Sequence, residues 1–87
     1  MKRLILFTKS DCMPCKMVKQ YLQSEDVEYK EFDVEDCPDA LAEFSIMSVP
    51  TLIYIENFDP LQNNNPTKTS IGFNMPKLQE IVSDYKG

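Results

Sequence analysis

At 87 residues the chain has room for one domain, residues 1–87, burying about 60 to 65% of its unfolded surface, and not for two. Its formal charge of −5 comes from nine basic residues scattered among fourteen acids, which disfavours a nucleic-acid groove, since that needs its bases gathered on one stripe. Three cysteines without a histidine leave a closed zinc site dependent on a carboxylate or a second chain, and the odd count argues against a disulfide scaffold.

The first apolar run, Leu4 to Phe7, follows two positive charges and stops at Thr8-Lys9-Ser10-Asp11. It is too short for a signal-peptide core, and later apolar runs are strand-sized, so we expect a cytosolic chain with no membrane span. Four consecutive apolar residues suit a central strand over Arg3 to Thr8, buried on both faces. From Cys12 to about Ser24 the residues Met13, Met17, Val18, Tyr21 and Leu22 share one face of a helix, with Pro14 tolerated in its first turn.

Cys12-Met13-Pro14-Cys15 therefore places two thiols one turn apart at a strand-to-helix junction. A thiol there meets unpaired N–H groups and the positive end of the helix dipole, both of which favour thiolate. Cys12 is then a nucleophile, and Cys15 can attack a mixed disulfide formed at Cys12, releasing the partner reduced. In the cytosol such catalytic disulfides form and break while structural ones do not persist. The other readings of the pair are two small core residues, a zinc knuckle, or an iron–sulfur cluster shared between chains.

Val27 to Val34 reads as a second strand whose apolar residues change phase between Tyr29 and Phe32, which points to a bulge or an edge position. Pro38 opens a short helix carrying Leu41 and Phe44 inward, with Asp36 or Cys37 near its cap. Ser45 to Val49 connects into Pro50. Thr51 to Ile55 and Thr67 to Phe73 read as an antiparallel hairpin, with Gly72 marking a close backbone approach. Between them Asn57 to Pro66, including Asn63-Asn64-Asn65, is an exposed polar loop longer than a tight hairpin needs. Asn74 caps a last helix whose Leu78, Ile81, Val82 and Tyr85 form an apolar stripe. The order β-α-β-α-β-β-α implies a four-stranded mixed sheet with helices on both faces and a right-handed first crossover.

At this point the chain resembles the thioredoxin-like proteins over essentially its whole length. Phe7-Thr8-Lys9-Ser10-Asp11-Cys12-Met13-Pro14-Cys15 is similar to the active-site strand and turn of glutaredoxins. Phe44-Ser45-Ile46-Met47-Ser48-Val49-Pro50-Thr51 is similar to the thioredoxin segment that ends in a cis-proline. The resemblance implies a thiol-disulfide oxidoreductase that needs no cofactor beyond its own Cys12–Cys15 disulfide and no metal. It also implies that Pro50 is cis, that the backbone of Val49 beside Cys12 pairs with an extended partner segment, that Ile46, Met47 and Phe73 supply an apolar rim, and that Met13 and Pro14 bind substrate too. Gly72 would leave room for the partner backbone. The implied partners are disulfide-containing proteins, with a thioredoxin reductase or glutathione as reductant and the protein itself a monomer.

Departures from both better-known branches refine this. Ile71-Gly72-Phe73-Asn74 lacks the Gly-Gly and acidic residue with which glutaredoxins hold glutathione. Leu6 and Asp11 stand where thioredoxins have a buried acid and a tryptophan. Gly72-Phe73-Asn74-Met75-Pro76 is similar to the NrdH redoxins, which supply electrons to ribonucleotide reductase. Asp11 should oppose thiolate formation at Cys12, so within roughly −200 to −270 mV we expect the more reducing half. Glutathione-dependent activity, or a non-catalytic binding subunit supported by the long loop, are the alternatives. Cys37 reads as a small helix-cap residue, or otherwise as a thiol open to glutathionylation. Met17 is expected in the core, Met47 and Met75 toward the partner, and Lys9 and Lys16 as solvated charges or as guides for an acidic partner. Tyr29 and Tyr54 are expected to pack on the sheet with hydrated hydroxyls.

Overall fold

The computed structural model describes residues 1–61 and 64–87; Asn63, in the expected polar run, lies outside them. Seven elements follow in chain order: β1 (Arg3–Thr8), α1 (Met13–Ser24), β2 (Lys30–Asp33), α2 (Pro38–Phe44), β3 (Thr51–Ile55), β4 (Lys68–Ile71) and α3 (Met75–Lys86). The sheet order is β2-β1-β3-β4, with β1 parallel to β2 and antiparallel to β3, and β3 antiparallel to β4. Leu4 to Thr8 are all buried, because β1 has a strand on each side and helices above and below.

The alternation of side chains divides the core in two. Leu4, Leu6, Leu52 and Tyr54 face α1 and α3, where Val18, Leu22, Leu78, Ile81 and Val82 cover them. Ile5, Phe7, Ile53 and Ile55 face the other way, toward Ala40, Leu41 and Phe44 of α2. The phase change in the second strand has a simple origin. Val27 and Tyr29 precede β2 and pack against the α1/α3 side, while Phe32 and Val34 pack against the α2 side. The strand is accordingly shorter than Val27 to Val34, and it lies at the sheet edge.

Other expectations need correction. The fourth strand stops at Ile71 rather than Phe73 because Gly72 has φ +74° and turns the chain away. On α1 the buried stripe is Cys15, Val18 and Leu22, spaced i, i+3 and i+7; Met17 and Met13 fall outside it and are exposed, so Met17 is not core. Tyr54 is buried on the sheet as expected, and its hydroxyl has a protein partner, donating to the Asp84 carbonyl at 3.4 Å; burial, with Glu56 and Asp84 nearby, raises its pKa. The segment after β3 is not wholly polar surface. Phe58 packs against the α2-side cluster, and its N–H donates to the Met1 carbonyl at 2.7 Å.

Asn74 caps α3, its side chain accepting from the Lys77 N–H at 3.3 Å. Lys68 on β4 pairs with Glu80 at 2.7 Å and with Asp84, tying the edge strand to α3. Hydrogen bonds to Asp84 and Glu80 raise the Lys68 pKa, and those from Lys68 and Lys77 lower that of Glu80. Among the described residues, no helix is long and apolar enough to cross a membrane.

Candidate functional site

The end of β1 delivers the chain to the dithiol through one unusual backbone position. Asp11 has φ 56°, a left-handed conformation that aspartate tolerates better than most residues. This gives Asp11 a structural reason beside its charge, which the sequence alone did not reveal. Cys12 then adopts an extended conformation as the N-cap of α1, and its Sγ accepts the Cys15 N–H at 3.2 Å. Cys12 and Cys15 are joined by a disulfide with their Cα atoms 5.2 Å apart. Pro14 lies in the first turn, where its missing N–H would have had no helical partner.

The two cysteines are not equivalent. Both are buried, but Cys12 retains 6% exposure and Cys15 only 1%. Met13 and Pro14 beside them are exposed. Thr8 is buried below, its hydroxyl donating to Glu31 at 2.9 Å, and Lys19 of α1 meets the same carboxylate oxygen at 3.2 Å.

A second wall comes from the entry to β3. The register pairs Phe7 with Thr51, so the segment leaving β1 and the segment entering β3 emerge at the same end of the sheet. The Val49–Pro50 bond is cis and Pro50 is buried. Thr51 braces this turn by donating its hydroxyl to the Ser48 carbonyl at 2.7 Å, and the Pro50 carbonyl accepts the Gly72 N–H at 2.7 Å. Among the described residues the N–H and C=O of Val49 have no hydrogen-bond partner, leaving one strand-like pairing position open.

Beside Val49 a groove of about 390 Å³ is lined by Lys9, Val34, Leu41, Ile46, Met47 and Val49. Met47 is 96% exposed at its rim. The structure thus brings Ile46, Met47 and Val49 together, while Met13, Gly72 and Phe73 are not part of that wall. Phe73 is partly exposed after β4, and a Cβ built on Gly72 would meet nothing within 4 Å, so the glycine answers to its φ and not to packing inside this chain. Ile71 was missed as an exposed apolar residue here; its signal was the alternation along β4, in which Ser70 is buried and Ile71 is not.

Cys37 is half-buried at the N-cap of α2 and makes no side-chain cap bond. No group of three or more metal-ligating side chains is gathered among the described residues.

The family model described as Glutaredoxin matches residues 4–57, more than half of the chain. The chain belongs to the glutaredoxin family of thioredoxin-like proteins. This small redoxin is 30% identical over 84 residues to the SPbeta prophage-derived thioredoxin-like protein YosR of Bacillus subtilis, covering 97% of this chain and 99% of that one. Among solved structures it is similar to the thioredoxin-like protein BC3987, with a TM-score of 0.69 at 30% identity over 91% of this chain and 99% of the other. It also resembles oxidised mitochondrial thioredoxin 3 of Saccharomyces cerevisiae, with a TM-score of 0.72 at 27% identity over 95% and 77% of the two chains. With family, fold and a Cys12–Cys15 disulfide together, the redoxin is a thiol-disulfide oxidoreductase.

Proposed function

We propose that this redoxin reduces disulfides in partner proteins, with Cys12 as nucleophile and Cys15 as resolving thiol. The Cys12 thiolate attacks a partner disulfide and expels one partner thiolate; the Cys15 thiolate then attacks Cys12 and expels the other. Two electrons pass to the partner, and the redoxin is left as the Cys12–Cys15 disulfide for a reductase to restore. The observation that carries this reading is the place of Cys12 at the N-cap of α1, bonded to Cys15 and slightly more exposed than it.

The open main chain of Val49 suits an extended partner segment, with Met47 lining the groove beside it and Pro50 next in the chain; Met13, Pro14, Gly72 and Phe73 are proposed as further contacts of that segment. We place the protein in the cytosol as a monomer, reduced by a thioredoxin reductase and serving ribonucleotide reductase as electron donor, on the likeness of Gly72-Phe73-Asn74-Met75-Pro76 to the NrdH redoxins. Glutathione as reductant is favoured by the family model, and opposed by the absence of Gly-Gly and an acid after β4.

One assay separates these. NADPH oxidation with a disulfide substrate is followed in parallel with thioredoxin reductase and with glutathione plus glutathione reductase. Turnover with the first alone supports our reading, and turnover with glutathione alone replaces it. In the same assay Cys15→Ser should lose turnover and accumulate partner mixed disulfides at Cys12. Full biological function in a Cys12→Ser, Cys15→Ser double variant would establish a binding subunit instead.

A further inference from the structure

The end of the sheet remote from the dithiol carries an arrangement that disulfide exchange does not use. Arg3 alternates with Ile5 and Phe7 along β1, and Lys30 with Phe32 along β2; Ile5 and Lys30 are register partners, so both cations project on the α2 face. A cavity of about 250 Å³ opens there, lined by Arg3, Lys30, Phe32, Phe44 and Phe58, with Glu43 of α2 also in its wall. The Arg3 guanidinium lies 4.5 Å from the Phe58 ring centroid, and the Lys30 ammonium 5.8 Å from that of Phe32.

Two of the nine basic residues of this acidic chain line the cavity. The chain has an excess of acids, and Lys19, Lys68, Lys77 and Lys86 are each ion-paired. Among the described residues Arg3 and Lys30, like Lys2, Lys9 and Lys16, have no carboxylate partner, although Glu43 lines the same cavity. Two neighbouring cations at the mouth of an aromatic cavity supply an anion site and an apolar site side by side. The guanidinium offers a planar fork of donors that matches a carboxylate, and the three phenyl rings accept a fourth edge-on or offset.

We propose that this cavity binds a small aromatic carboxylate, with the ring among Phe32, Phe44 and Phe58 and the carboxylate held by Arg3 and Lys30. The volume suits a single ring with a short side arm and excludes larger ligands from full burial. Glu43 repels the bound carboxylate and sets an upper limit on affinity. The site is separate from the dithiol, so it does not depend on the redox reading.

The test is an amide-resolved NMR titration of the whole oxidised chain with hydrocinnamate and, in parallel, its neutral amide. Hydrocinnamate should bind saturably in the millimolar range, with shifts centred on Arg3, Lys30, Phe32, Phe44 and Phe58. The neutral amide and the Arg3→Gln variant should each weaken binding about tenfold, the worth of one charge-assisted contact. Lys30→Gln should weaken it less, and Glu43→Gln should tighten it. Disulfide-reduction rates of Arg3→Gln should equal those of the unaltered protein, which separates failure of this site from failure of the redox site. Equal binding of acid and amide, shifts centred on Met47 and Val49, no effect of Arg3→Gln, or no saturation would each overturn the proposal.

Discussion

The two faces of the sheet are equally apolar and unequally covered. On one side Leu4, Leu6, Leu52 and Tyr54 lie under two twelve-residue helices, α1 and α3, each contributing buried residues. On the other, Ile5, Phe7, Ile53 and Ile55 lie under the seven-residue α2, none of whose residues is fully buried, with Ile46, Val49 and Phe58 from loops completing the cover. The first face has its core sealed under helices, with cavities only at its margin beside Tyr29, Tyr54 and Tyr85. The second leaves the groove beside Val49 and the cavity at Arg3 open where cover by helix is thinnest.

This contrast can be broken at its strongest point by paired truncations. Leu78→Ala, at a fully buried α3 position, should cost about 2 to 5 kcal/mol in chemical denaturation. Leu41→Ala, half-buried on α2, should cost about 1 kcal/mol. Equal losses would mean that the thin face stabilises the fold as much as the thick one.

The open face is tested next by removing apolar surface that supports nothing in the free protein. Met47→Ser should raise KM for a protein disulfide about tenfold while leaving kcat and stability unchanged. Leu61→Ser, at a residue equally exposed but outside the groove, should change neither.

A smaller effect is expected at Asp11. Asp11→Asn keeps a residue that accepts the left-handed backbone and removes the charge next to Cys12, so in the reduced protein the Cys12 thiolate should form more readily. Thiolate ultraviolet absorbance against pH measures it; an unchanged pKa would make the role of Asp11 conformational alone.

The smallest effect concerns the ion cluster joining β4 to α3. Because Lys68 holds the Glu80 pKa below its usual 4.5, the carboxylate stabilises the fold above that pH, and the contribution is lost as pH falls through the depressed value. The raised Lys68 pKa works in the opposite direction, its contribution persisting below 10.5 and fading only as pH rises beyond it. Lys68→Met should therefore flatten the acid limb of the stability curve, and since these groups are exposed the change should be slight and should shrink in salt.

Much of this was legible along the chain because it is local physics. The four-residue apolar run of β1, Pro14 and Cys12 at the start of α1, Pro38 opening α2 and the Leu78, Ile81, Val82 stripe each carry their cause within a few residues. The phase change at Tyr29–Phe32 was readable as an edge position for the same reason. The exposure of Met17 was not, because helical periodicity defines a broad apolar sector and only the neighbouring elements select the stripe within it that is buried. Phe58 was invisible for a related reason: a single aromatic in a polar segment has no period, and its place depends on the Met1 carbonyl and Arg3, far away in sequence.

The candidate site divides in the same way. By itself the sequence determined that two thiols stand one turn apart at a helix start, and that a Val49-Pro50-Thr51 segment precedes a strand, since spacing and capping are properties of neighbouring residues. Tertiary structure alone decided that Cys12 is the slightly more exposed of two buried cysteines, that the register of Phe7 with Thr51 brings both segments to one end of the sheet, and that Lys9, Ile46, Met47 and Val49 share a groove. Those facts come from strand register and from uneven cover of a two-sided sheet, quantities set by contacts between residues distant in the chain and carried by no local pattern.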